Sequence, residues 1–269
     1  MTAAPSRQLL IVGMHRSGTS LLAAAMEQAG ISIGDRLLGA SPSNPKGHFE
    51  DLDFVEWHEA VFADNGRTTF DAHQHGPLEI SPQRRREARA MIDARQGRAV
   101  WGWKDPRTCL FLEFWHSLLP DARMLMVHRR PEEVLASLDR RRHDELTRRW
   151  PGLWTLKRFG VDLTFRRRRA ARWWLASNAA MLAFAREHPD RCLVVELARL
   201  RDQLPPAIEF MRSAWNLPLS PVDLDAVLDD RLLHGATPVV ANSRPRTPIE
   251  RTIAGLHERS RQGPNRASS

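Results

Sequence analysis

Residues 8–30 read QLLIVGMHRSGTSLLAAAMEQAG, and this stretch decides the fold. Leu9–Gly13 is a short apolar run of the kind a buried parallel strand requires. Gly13-Met14-His15-Arg16-Ser17-Gly18-Thr19-Ser20 follows as a turn. LLAAAMEQAG then has the composition of a good helix, stopped at Gly30. In such a strand–turn–helix unit Gly13 permits a tight turn and Gly18 lets the backbone come close to a ligand. The N–H groups of Arg16 to Ser20 stand at a helix N-terminus, where the helix dipole also favours an anion. Thr19 and Ser20 add hydroxyl donors.

The spacing matches the nucleotide-binding loop GxxxxGK[ST] with one departure: Thr19 occupies the lysine position. That lysine reaches the β- and γ-phosphates of a triphosphate, and the hydroxyl after it holds Mg²⁺. A loop without it is a poor NTPase site and still a good anion cradle. The positive charge moves to Arg16, inside the loop.

Working outward, Leu52–Asp64 and Pro82–Ala94 read as helices, and Ala99–Trp103 as a second strand leading into Lys104-Asp105-Pro106-Arg107 and a helix through about Leu119. Arg123–His128 is a third strand. Pro131 opens a helix through about Arg141. Arg166–Glu187 is a long helix, Cys192–Glu196 a fourth strand, and helices follow near Pro205–Trp215 and Leu224–Leu228. Residues 31–50 read as loop. Strands alternating with helices predict a three-layer α/β fold with a mainly parallel central sheet. Residues 1–257 are expected to form one domain and 258–269 a disordered tail.

A second signal is VHRRPEEVLASL, residues 127–138. Arg129 stands at the C-terminal edge of its strand, where α/β sheets bind ligands. Ser137 lies on the following helix, close enough to meet the same anion at about 1.5 Å of rise per residue. An arginine and a hydroxyl make a phosphate clamp.

Together, GMHRSGTSLL and VHRRPEEVLASL resemble the two cofactor motifs of the sulfotransferases that use 3′-phosphoadenosine 5′-phosphosulfate (PAPS). WGWKDPRTCLFLEFW (101–115), NPKGHFE (44–50) and VVELARL (194–200) are similar to segments of the bacterial members, so the resemblance covers about residues 8–200. It implies a P-loop-like fold and a PAPS donor. The cofactor-binding residues it implies are Gly13, Arg16, Ser17, Gly18, Thr19 and Ser20 around the 5′-phosphosulfate, and Arg129 and Ser137 around the 3′-phosphate. It also implies transfer without a metal.

Sulfuryl transfer needs in-line positioning and stabilisation of charge on the leaving phosphate. Arg16 is placed for the second task, and Lys104 is another candidate. Only three lysines stand among 40 basic residues, so a lysine kept at position 104 suggests a specific need; the alternative is an ordinary strand-end ion pair made by Lys104 or Arg107. A hydroxyl acceptor also needs a general base. Glu50 is the first candidate, His48 the second and His15 the third; alternatively Glu50 is an acid favoured at the start of a helix. Asp71, His73 and His75 read as a surface loop, not a metal site. Cys109 and Cys192 read as core thiols, and Trp173-Trp174 as core residues or a stacking surface.

The chain has 269 residues and a net charge of +8. All of that excess falls within residues 129–172, which hold 14 basic and 6 acidic residues. With 42% hydrophobic residues the chain can build a core, and two cysteines exclude a disulfide scaffold. No stretch is apolar enough for a signal sequence or a membrane span, so a cytoplasmic location is expected. The rival readings are a P-loop kinase of a small metabolite and an arginine-rich nucleic-acid or anionic-surface binder using Arg140–Arg142, Arg148–Arg149 and Arg166–Arg169. The expected acceptor is a hydroxyl compound (a sugar, a lipid-linked sugar or a small molecule), acidic or presented at an anionic surface. No specific nucleic-acid partner is expected.

Overall fold

The computed structural model describes residues 7–39, 47–71, 76–149 and 164–227. The 257/258 boundary, Lys46, His73 and His75 lie outside the described residues. Four parallel strands form the sheet in the order β2-β1-β3-β4. They are β1 (Arg7–Val12), β2 (Val100–Trp101), β3 (Arg123–His128) and β4 (Cys192–Glu196). The first helix, α1, is Thr19–Gln28. It is followed by α2 (Leu52–Asp64), α3 (Pro82–Asp93), a 3₁₀ turn over Pro106–Leu110, α4 (Leu112–Leu118), α5 (Pro131–Arg149), α6 (Thr164–Glu187), α7 (Leu200–Ser213) and α8 (Leu224–Val227).

Strand alternation sorts the core into two layers. Leu9, Ile11, Leu125 and Val127 face α1 and α7. Leu10, Val12, Met124 and Met126 face α2, α3, α4 and α6. Helices therefore cover both faces, as an all-parallel sheet requires, and the architecture is the three-layer, P-loop-like one the sequence implies. Among the described residues no helix is long and apolar enough to cross a membrane.

Three boundaries move for physical reasons. The second strand is shorter than Ala99–Trp103. The chain still tracks β1, with Ile11 N–H donating to the Trp103 carbonyl at 3.0 Å and a parallel bridge between Ile11 and Lys104. At Gly102 the ladder breaks, because its N–H turns to the Ser32 carbonyl. A side chain there would sit 1.7 Å from the Leu9 carbonyl oxygen. Helix α5 continues past Arg141 to Arg149, since no proline or glycine interrupts it before Pro151. Helix α7 begins at Leu200, upstream of Pro205, where the sequence places its start. Burial of Leu200 and Leu204 outweighs the backbone hydrogen bonds lost at Pro205 and Pro206.

Candidate active site

All four strands run in one direction, so the segments after Val12, Trp101, His128 and Glu196 meet along one edge of the sheet. The loop after β1 is held in an unusual shape. Arg16 has φ 67° and Gly18 φ 91°, which turns the chain sharply into α1, with Gly18 as its N-cap. Gly13 is required by packing: a Cβ there would lie 2.7 Å from Thr19 Cγ2 and from Val127 Cγ1. Gly18 is required by its backbone angle and by Leu197, whose Cδ1 would lie 2.4 Å from an added Cβ. The glycines thus shape the cradle by close packing against β3 and the end of β4.

The two halves of the sequence signal meet here. Arg16 Nε donates to Ser137 Oγ at 2.9 Å across 121 residues of chain. Arg129 Nη1 donates to the Arg16 carbonyl at 3.0 Å, while its Nε donates to Glu133 at 3.0 Å. Trp174 Nε1 in turn donates to the Arg129 carbonyl at 3.0 Å. Arg129 and Ser137 are buried. Burial, and then the like charges of Arg141, Arg129 and Arg140, draw the Arg16 guanidinium below its ordinary pKa. Ser17 Oγ is buried, with no hydrogen-bond partner among the described residues. Crowded guanidinium groups and an unsatisfied hydroxyl beside a helix N-terminus suit an anion with several oxygens. Thr19 is buried against Gly13, and Ser20 Oγ donates to the His48 carbonyl at 3.2 Å, tying the segment over 47–50 to the start of α1.

That segment brings Glu50 to Lys104. Lys104 Nζ donates to Glu50 Oε1 at 2.7 Å, and both side chains are buried. Arg107 Nη1 stands 3.7 Å from the other Glu50 oxygen. Burial pushes the Lys104 ammonium pKa down, and Glu50 opposes that shift. Burial also lowers His48, again against Glu50. Glu50 is not the acid that opens α2: Asp51 takes that place, its carboxylate accepting from Asp53 N–H at 3.1 Å. Both readings of Lys104 therefore meet in one contact, an ion pair at the strand end whose acid is the first-choice base.

A buried network beneath this pair escapes the sequence reading. His58 Nδ1 donates to Asp105 Oδ2 at 2.8 Å, and His58 Nε2 accepts from Trp115 Nε1 at 2.9 Å, which fixes the imidazole tautomer. Asp105 Oδ1 accepts from the Arg107 N–H at 3.0 Å and from Nη1 at 2.9 Å. Burial alone would raise the Asp105 pKa, but Arg107 and His58 hold it well below the usual carboxylate range. The signal was present in Asp105-Pro106, an N-cap residue followed by a first-turn proline. His58 gave none, since it is one polar residue on the apolar face of α2.

Burial lowers the His58 pKa, and it lowers His15 to about 3. Between about pH 3 and 6.5 the unfolded chain therefore binds protons that the folded chain does not. Stability should rise with pH through that window, at up to about 1.4 kcal/mol per pH unit for each proton. Thermal unfolding between pH 4.5 and 7.5 checks this, and His58→Gln should flatten the slope.

Of the arginine run, Arg140 and Arg141 act on Arg16, and Arg169 Nη2 donates to Asp71 at 3.0 Å. The side chains of Arg148, Arg149, Arg166 and Arg167 lie outside the described residues. Cys109 is buried as expected and Cys192 partly so. Trp173 and Trp174 are buried with Met14 and Val134. Among the described residues, Glu113 in the first turn of α4 and Glu187 and His188 at the end of α6 are grouped closely enough to share a metal ion; Glu187 and His188 precede β4, at the edge where that strand begins.

The sulfotransferase family profile matches residues 8–219. A sulfotransferase domain from the curacin biosynthetic pathway superposes with a TM-score of 0.52 at 17% identity, over 96% of this chain and 99% of that one. A sulfotransferase from Mycobacterium avium aligns over 97% of this chain and 69% of its own, at 14% identity and a TM-score of 0.47. One from Alicyclobacillus acidocaldarius aligns over 84% and 87%, at 13% identity and 0.46. No curated protein sequence matches.

Proposed function

The chain belongs to the sulfotransferase family, and from that premise we propose that it moves a sulfuryl group from PAPS to a hydroxyl acceptor, with a carbohydrate or glycolipid as the first acceptor class to test. The observation that carries this reading is the convergence of Arg16, Arg129 and Ser137 on a loop that lacks the triphosphate-binding lysine. The residues fit a donor with two separate phosphate positions. Ser17, Thr19, Ser20 and the loop N–H groups surround the 5′ side, shaped by Gly13 and Gly18. Arg129 and Ser137 take the 3′-phosphate.

In the transfer a bond forms between the acceptor oxygen and sulfur while the bond from sulfur to the 5′-phosphate oxygen breaks. The donor supplies the sulfuryl group and an anionic leaving group; the protein supplies charge and a proton acceptor. Arg16 and Lys104 stabilise the charge developing on the phosphate. Glu50 accepts the proton of the acceptor hydroxyl. Lys104 adjusts in the opposite sense: paired with Glu50 at rest, it is freed toward the leaving phosphate as Glu50 becomes neutral. His48 is the reserve base.

With radiolabelled PAPS and a panel of sugars, glycolipids and phenols, label should appear on a hydroxyl acceptor. Glu50→Gln should lower kcat by about 10²–10⁴-fold and leave adenosine 3′,5′-bisphosphate affinity within about twofold. Full activity in Glu50→Gln would move the base to His48. A requirement for Mg²⁺-ATP in place of PAPS would support the kinase reading instead.

A further inference from the structure

His15 lies inside the anion-binding loop but takes no part in the cradle. Its imidazole packs on the indole of Trp173 in α6, with ring centroids 4.8 Å apart. Phe70 also contacts Trp173, edge-on at 5.1 Å and 70°. Phe70 itself is 55% exposed. Three rings therefore run in contact from the loop to solvent.

The outer ring is held in place. Asp71 accepts from Thr68 N–H at 2.6 Å and from Thr68 Oγ1 at 2.8 Å, and Arg169 ties the same carboxylate to α6. The inner ring carries an unmet requirement. His15 Nε2 is buried, with no hydrogen-bond partner among the described residues, a state that costs free energy until a partner arrives. Burial and the nearby charges of Arg107, Lys104 and Arg141, opposed by Asp105, hold the imidazole neutral down to about pH 3. At working pH it offers one ring nitrogen as a hydrogen-bonding partner and no charge.

We propose that His15, Trp173 and Phe70 form the acceptor wall of the site, taking a hydroxyl carried on a ring with an apolar face, and that His15 Nε2 hydrogen-bonds the reacting hydroxyl beside the phosphosulfate loop. The assignment rests on the sulfuryl-transfer reading above. Phe70 presents its exposed ring to the acceptor and the buried Trp173 backs it, which suits the C–H face of a pyranose or the plane of an aryl alcohol. His15 acts as a positioning residue: it fixes the hydroxyl, and Glu50 takes its proton.

The test uses the full chain with adenosine 3′,5′-bisphosphate bound and two probes, octyl β-glucoside for the sugar class and 2-naphthol for the aryl class. Saturation-transfer NMR reads probe binding, calorimetry reads bisphosphate binding, and PAPS-driven transfer gives kcat and KM. At least one probe should bind the wild type. Phe70→Ala should weaken that probe about five- to tenfold and leave bisphosphate affinity unchanged. His15→Ala should raise acceptor KM and lower kcat, and His15→Gln, which keeps a hydrogen-bonding end, should recover part of both. Failure of both probes to bind, or equal binding in wild type and Phe70→Ala, would overturn the proposal. Phe70 is exposed, so that arm holds even where a His15 variant fails to fold. Loss of bisphosphate binding in the wild type itself would instead strike the donor reading.

Discussion

Replacing Arg16 with alanine is expected to weaken adenosine 3′,5′-bisphosphate binding at least a hundredfold, and to lower kcat/KM for sulfuryl transfer by about a thousandfold. Arg16 is the residue through which the two motifs touch, by its side chain to Ser137 and its carbonyl to Arg129. Losing it removes a charge-assisted donor at the leaving phosphate and loosens the 3′ clamp. The expected effect on stability has the opposite sign. Arg141, Arg129 and Arg140 all disfavour the charge on Arg16, so the alanine variant should unfold at the same temperature as the wild type or higher. A site that sacrifices stability for ligand binding behaves this way; a merely structural arginine would lose stability. Arg16→Lys should fall between, keeping the charge without the forked geometry.

Replacing Asp105 with alanine is expected to cost about 3–5 kcal/mol of folding stability, the range for removing one partner of a buried charge pair. Asp105 is fully buried and satisfies Arg107 twice and His58 once. Its loss leaves the buried His58 N–H unmatched and takes two of the Arg107 hydrogen bonds, while Glu59 and Thr69 still hold the rest of that guanidinium. For a chain of this size that is a fall in Tm of about 5–9 °C. Activity should fall with it, because Asp105 fixes the turn between Lys104 and Arg107, and both of those residues face Glu50. Asp105→Asn keeps an acceptor for the Arg107 N–H and should be milder. Circular dichroism melting beside calorimetry with bisphosphate separates the two effects.

The fold was legible in the sequence because its edge-forming pieces are local. The run Leu9–Gly13 before the loop overlaps β1, which starts two residues earlier at Arg7, and Arg123–His128 before Pro131 reads correctly to the residue. What failed was decided by tertiary contacts. Gly102 breaks the second strand because the Leu9 carbonyl passes beside it, and nothing local announces that. The start of α7 went to buried leucines over proline preference. At the site, the eight-residue spacing after a strand end linked Ser137 to Arg129, but the direct partner of Ser137 is Arg16, 121 residues away, which no local spacing announces. The Glu50–Lys104 contact joins residues 54 apart and emerged only from candidates chosen separately. His58 and its bond to Asp105 were invisible, since a lone histidine on an apolar helix face looks the same whether or not a carboxylate waits opposite.

The central claim is that the loop and the β3–α5 clamp bind one ligand through two separate phosphates. Calorimetry of the wild-type chain with adenosine 3′,5′-bisphosphate, adenosine 5′-monophosphate and ATP with Mg²⁺ tests it most directly. The bisphosphate should bind at least tenfold tighter than the monophosphate, as a charge-assisted contact to the second phosphate requires, and that advantage should vanish in Arg129→Ala. Equal affinity for the two adenosine phosphates, or tighter binding of ATP with Mg²⁺, would contradict it.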